Sequence, residues 1–148
     1  MHLHPLAAFT DNCIWVLHDG ARALVVDPGE ASGVQAYLTE HRLTLDTILI
    51  THHHSDHTGG VAVLREATGA RVIGPVGEPM LEPLQRVTGG RTAEALNLRF
   101  VVIDVPGHTA GPSPTTLRRW TAHPCCSAAT RCFPPAVVAG LKVHRHKC

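Results

Sequence analysis

The stretch Thr51-His52-His53-His54-Ser55-Asp56-His57-Thr58-Gly59-Gly60 decides how the rest of the chain is read. Four of the chain's 12 histidines fall between positions 52 and 57, with Asp56 beside the last. Just before it, Thr47, Ile48, Leu49 and Ile50 make a β-branched and apolar run that reads as a buried strand. Just after it, Val61, Leu64 and Thr68 have helical spacing that stops at Gly69. The histidines therefore sit on a loop between a strand's C-terminal end and a helix, where open α/β sheets place ligands. Alternate side chains of an extended segment share a face, so His52 and His54 can reach one ion while His53 points elsewhere. Asp56 and His57, one turn further on, can reach a second. Imidazole and carboxylate suit zinc and similar transition metals. A chance histidine-rich surface loop would not combine this density with a strand end, an interleaved Asp and a Gly-Gly.

Outward from the loop, strands and helices alternate. Residues 3–9 read as a first strand. Residues 14–18 and 21–26 read as two more, joined at Asp19-Gly20, a two-residue hairpin signal. His18 is then a hairpin residue without assigned function, and Cys13 a small buried residue. Asp27-Pro28-Gly29 closes the strand as a turn. Ser32 reads as the N-cap of a helix running to about residue 42, with Val34, Tyr37 and Leu38 on its inner face. Residues 71–73 form a short strand ended by Gly74-Pro75. Residues 78–88 have no clear period, and Gly89-Gly90 marks a turn. Residues 99–105, apolar apart from Asp104, read as a strand buried on both faces, delivering Pro106-Gly107-His108 at its end.

The chain has 148 residues, enough for one modest domain, and a net charge of +1 that gives no reason to expect a polyanionic partner. That average conceals a break. Residues 1–111 hold all 12 acidic groups against 7 basic ones, while residues 112–148 hold 6 basic groups and no acid. Four of the 5 cysteines and 5 of the 11 prolines also lie beyond residue 111. No targeting signal opens the chain, and no apolar run approaches the ~18 residues of a membrane helix, so no membrane is expected. A single cysteine in residues 1–111 speaks against a secreted disulfide scaffold, which makes the cytoplasm the expected compartment. No basic patch interleaved with aromatics supports nucleic-acid binding.

The spacing His-x-His-x-Asp-His resembles the signature of the metallo-β-lactamase-fold hydrolases. The fuller stretch 51–60 resembles one branch, glyoxalase II (hydroxyacylglutathione hydrolase). Three further stretches agree: Asp11-Asn12-x-Ile14-Trp15, Val25-Val26-Asp27-Pro28-Gly29 and Pro106-Gly107-His108-Thr109-Ala110-Gly111. The resemblance covers residues 1–111. It implies an α/β (α+β) chain, the first half of an αββα sandwich, as the N-terminal part of a catalytic domain. It also implies two metals, zinc by expectation with iron or manganese as alternatives. His52, His54 and His108 would hold the first, Asp56 and His57 the second, and Asp56 would also orient the nucleophile and take its proton. Asp27 would lie near the metal loop. The implied reaction is hydrolysis of a glutathione thioester such as S-lactoylglutathione, a step of methylglyoxal detoxification. Oligomeric state is not legible.

After Gly111 the resemblance stops. The family's bridging Asp, supplied by a later Gly-Asp-Thr, and its final His ligand have no counterpart, and no acidic residue exists beyond Asp104. Residues 112–148 read as a frame-shifted copy of the family's second half. Loss of one base near codon 112 would turn Gly-His-Ile into Gly111-Pro112-Ser113, and Ser127-Ala128-Ala129-Thr130-Arg131 permits Phe-Cys-Gly-Asp-Thr in the other frame. Against this stand a divergent tail, a non-catalytic metal-binding fragment, and a basic tail that binds an acidic surface. Cys125, Cys126, Cys132, His144, His146 and Cys148 supply zinc-ligand types, but without a C-x2-C or H-x3–5-H pair.

Overall fold

A computed structural model of the chain describes residues 1–10, 12–105, 117–124 and 136–138. Two sheets result. The first holds β1 (His2–Ala8), β2 (Asn12–His18), β3 (Arg22–Val26), β4 (Thr44–Leu49), β5 (Arg71–Pro75) and β6 (Gln85–Val87), in that spatial order. β1 to β3 are antiparallel, and β3 to β6 are parallel. Parallel neighbours need crossovers, supplied by α1 (Ser32–Glu40) and by α2 (Ser55–Thr58) with α3 (Val61–Thr68). The second sheet is antiparallel, in the order β10 (Ala136–Val138), β9 (Leu117–Pro124), β8 (Leu98–Val105), β7 (Thr92–Ala95).

Two hydrophobic clusters hold these layers together. Val25, Ile48 and Val72 point to one side of the first sheet and meet Val34, Leu38, Val61 and Leu64 of the helices. Leu24, Val26, Leu49 and Ile73 point to the other and meet Ala93, Phe100 and Val102 of the second sheet. The central strands are thus buried on both faces, which explains their unbroken apolar runs. The layers are helices, sheet and sheet: the first part of the αββα sandwich.

Several local expectations need correction. β8 is buried on one face only: Phe100 and Val102 point inward, while Arg99 and Ile103 are exposed. No helix covers its outer face among the described residues, so its apolar run overstates its burial. Ser32 opens α1 rather than capping it; the cap position is Ala31, and the Ser32 hydroxyl donates to Glu30 at 3.1 Å. The first hairpin is longer than two residues. His18 pairs with Ala23, and the Asp19 carboxylate accepts the Ala21 and Arg22 N–H groups at 2.9 and 2.7 Å. Two tail stretches that lack a strand-like sequence pattern nonetheless lie in the second sheet as β9 and β10.

His18 also has company that its sequence position does not suggest. At the end of the first sheet remote from the histidine loop, its ring stacks on His2 (5.1 Å between centroids) and His41 (6.3 Å). Its Nε2 lies 3.3 Å from the Tyr37 hydroxyl, and Nδ1 is buried with no partner among the described residues. Burial first, then His2, His41 and the chain's amino terminus, push its pKa below 6.5, against the smaller pull of Asp19. The unfolded chain therefore takes up this proton first. His18 contributes stability at pH above about 6.5, and that contribution is lost as pH falls below it. Urea midpoints taken from about pH 7.5 to about pH 5.5 should fall more steeply for the native chain than for His18→Gln; parallel falls would deny His18 this role.

Candidate metal centre

β3 and β4 end side by side, with Val26 opposite Leu49, and the chain segments leaving them are joined by one residue. Asp27 sits at φ 51°, a left-handed conformation that Asp tolerates better than most residues. Its own N–H donates to the Leu49 carbonyl at 2.9 Å. Its buried carboxylate then accepts the Thr51 N–H through Oδ1 and the Thr51 hydroxyl through Oδ2, both at 2.7 Å. Oδ2 also lies 3.2 Å from His57 Nδ1.

These contacts assign protons. A hydroxyl has one hydrogen, and Thr51 gives it to Asp27. The 2.9 Å contact between Thr51 Oγ1 and His52 Nδ1 must then carry the imidazole's hydrogen. His52 Nε2 is then the ring nitrogen without a hydrogen, and it faces His54 Nδ1 at 3.1 Å. Likewise Nδ1–H of His57 is directed to Asp27, which turns its Nε2 toward Asp56 Oδ2, 3.4 Å away. Burial of the His57 ring opposes its charge, but the hydrogen bond and charge of Asp27, with Asp56, outweigh this and raise its pKa. Asp56 is held in the opposite sense. Asn12 donates to its Oδ2 at 2.8 Å and keeps its pKa low against the cost of burial, with help from His57 and His52.

The donors thus come as two pairs, His52 with His54 and Asp56 with His57, and the His52 and His57 rings are 4.1 Å apart between centroids. Among the described residues no three His, Cys, Asp or Glu side chains converge as a complete metal cage. His108 and Asp11 lie outside the described residues. What is present suits a transition metal: imidazoles of His52 and His57 whose tautomers are set through Nδ1 by Thr51 and Asp27, and an ionised carboxylate beside them held by Asn12. His53 is turned away, as the alternation of an extended segment requires, and is tied to Glu78.

The loop reaches this position because glycines let two backbone segments approach. A Cβ on Gly29 would fall on the Asp56 carbonyl, and one on Gly60 on the Glu30 backbone. Gly60 N–H donates to the Pro28 carbonyl at 2.8 Å, tying the two turns together. Gly69, at φ 70°, then ends α3 in the left-handed conformation foreseen for it.

A family model described as the metallo-beta-lactamase superfamily matches residues 8–124. The chain belongs to this superfamily. The hydroxyacylglutathione hydrolase of Albidiferax ferrireducens is 64% identical over 110 residues, covering 74% of this chain and 43% of that protein. The hydroxyacylglutathione hydrolase of Pseudomonas aeruginosa is 47% identical over 114 residues, covering 75% and 44%. The chain spans less than half the length of these curated relatives. Among solved structures, ETHE1 from Myxococcus xanthus superposes with a TM-score of 0.67 at 28% identity, over 82% of this chain and 54% of that one. The BLEG-1 B3 metallo-beta-lactamase, at 21% identity over 82% of this chain and 67% of that one, shares the fold with a TM-score of 0.68.

Asn12, Thr51 and Glu78 were given no role by the sequence. Asn12 stood inside a recognised stretch and Thr51 beside the histidines. Glu78 had no signal, being 25 residues away from His53 in a segment without clear period. The close approach of the turns gives a direct test. Gly29→Ala should lower stability by about 1–3 kcal/mol through overpacking, read from the urea midpoint. An unchanged midpoint would mean that the two turns do not pack this closely.

Proposed function

We propose that residues 1–111 are the N-terminal part of the catalytic domain of a metal-dependent thioester hydrolase. Its substrate would be an acylated glutathione such as S-lactoylglutathione, cleaved to a hydroxy acid and glutathione in methylglyoxal detoxification. The reading rests on the 64% identity to a hydroxyacylglutathione hydrolase, and the pairing of His52 with His54 and of Asp56 with His57 agrees with it. His52, His54 and His108 would hold one metal, Asp56 and His57 a second; zinc suits these donors best, with iron or manganese as alternatives. When bound, such ions generate a nucleophile from water at neutral pH and polarise a carbonyl.

The residues of the chain have separate tasks. Thr51 and Asp27 hold the Nδ1 hydrogens of His52 and His57, so that Nε2 of each ring is the nitrogen that would face a metal. Asn12 orients Asp56 and keeps it ionised, so that Asp56 can accept the proton of an attacking water. The cytoplasm is the expected compartment; among the described residues no helix is long and apolar enough to cross a membrane.

Residues 112–148 are read as the frame-shifted remainder of the same domain. Relatives matching over 110 of 148 residues support this, although the family model runs on to residue 124. With no acidic residue beyond Asp104, the chain cannot supply the bridging carboxylate that the resemblance requires. That observation favours a second reading, in which this chain binds metal without turning over substrate.

Two experiments test these readings. Sequencing around codon 112 should reveal a Gly-Asp-Thr segment in the other frame; without one, the tail is native. The product of the gene with its frame restored should hydrolyse S-lactoylglutathione, whereas the present chain should scarcely exceed buffer. His54→Ala in the restored product should cost at least about 100-fold, since changes one shell further out already cost 10–100-fold. A restored product without thioesterase activity would remove the activity assignment.

A further inference from the structure

The functional reading leaves unused the contacts that Glu78 makes with the histidine loop. It lies in the turn after β5, behind Gly77 at φ 87°, where the chain doubles back toward β6. Its side chain is only 10% exposed. A single oxygen, Oε2, faces both the His53 backbone N–H at 2.7 Å and His53 Nδ1 at 2.9 Å. The turn that carries it is braced from the other side: Arg86 donates to the Glu78 carbonyl at 3.0 Å and pairs with Glu82 at 2.6 Å.

We propose that Glu78 is a positioning residue for the metal loop, holding His53 so that its neighbours His52 and His54 present their lone pairs to one ion. The inference rests on the metal reading given above and adds a residue to it. The bond to the His53 N–H fixes the peptide that links His52 to His53, and with it the direction in which His52 leaves the backbone. The bond to the His53 ring sets a wall against which His54 packs edge-on, with centroids 5.0 Å apart. Without Glu78, both effects lapse together. The loop would have to bury an unpaired N–H or turn it to water, and either outcome disturbs the 3.1 Å approach of His52 Nε2 to His54 Nδ1.

Because one oxygen takes both contacts, Glu78→Gln can keep both through its amide oxygen, whereas Glu78→Ala keeps neither. Zinc affinity of the full chain, measured by competition with a chromophoric chelator, should fall about 10–100-fold in Glu78→Ala and recover most of that loss in Glu78→Gln. The cobalt-substituted absorption spectrum should change in the Ala variant and resemble the native one in the Gln variant. The urea midpoint of the metal-free proteins separates positioning from folding. Native affinity in Glu78→Ala would overturn the proposal. So would an affinity loss that Gln does not relieve, or one matched by a collapse of metal-free stability. If the native chain itself takes up no zinc, the metal reading fails and the role of Glu78 falls with it, an outcome distinct from the others.

Discussion

The site depends on one buried carboxylate. Asp27 leaves β3 in a left-handed conformation and closes three contacts, with the Thr51 N–H, the Thr51 hydroxyl and His57 Nδ1. An unpaired carboxylate in this position would be costly, so these contacts are what make its burial tolerable. They also reach beyond stability. By taking the only hydrogen of Thr51, Asp27 sets the tautomer of His52, and by contacting His57 directly it sets that of His57 as well. A single side chain thus joins two strand ends and orients one imidazole in each donor pair.

Much of this was readable from residue types. Strands buried on both faces announce themselves as apolar runs, and Gly69 could end a helix because it alone there accepts φ 70°. The pairing of His52 with His54 and of Asp56 with His57 was legible for a similar reason: alternation and one helical turn are local geometry. What failed was non-local. β8 has the composition of a doubly buried strand, but burial is decided by whatever packs outside it, and nothing in residues 98–105 records that. Ser32 is a good capping residue, yet its hydroxyl turns back to Glu30. Glu78 is invisible for the same reason, since its partner is set by how the turn after β5 lies against the loop after β4.

His18 shows the limit from another side. A hairpin residue is a fair description of its place in the chain, and the hairpin is there. Its neighbours come from β1 and from the residue following α1, so the stack with His2 and His41 exists only once the first sheet and its helix are packed. The alternation that put His2 opposite His18 could be inferred from a register; the helix that brings His41 could not.

The second sheet separates what a fold requires from what a site requires. β9 extends it by antiparallel backbone pairing with β8, and β10 by pairing with β9, through residues whose composition departs from the first 111. Backbone N–H and C=O groups are the same in every residue except proline, so a ladder can be completed by segments with little strand pattern. A metal site has no such tolerance, because its ligands are side chains of particular types at particular points. After Asp104 the chain contains no Asp or Glu, so the strands at residues 117–124 and 136–138 extend the second sheet without adding a carboxylate side chain to it. Backbone pairing and ligation thus make different demands on a sequence: the ladder joining β8, β9 and β10 closes on groups that nearly every residue carries, whereas a metal site would need particular side chains at particular points.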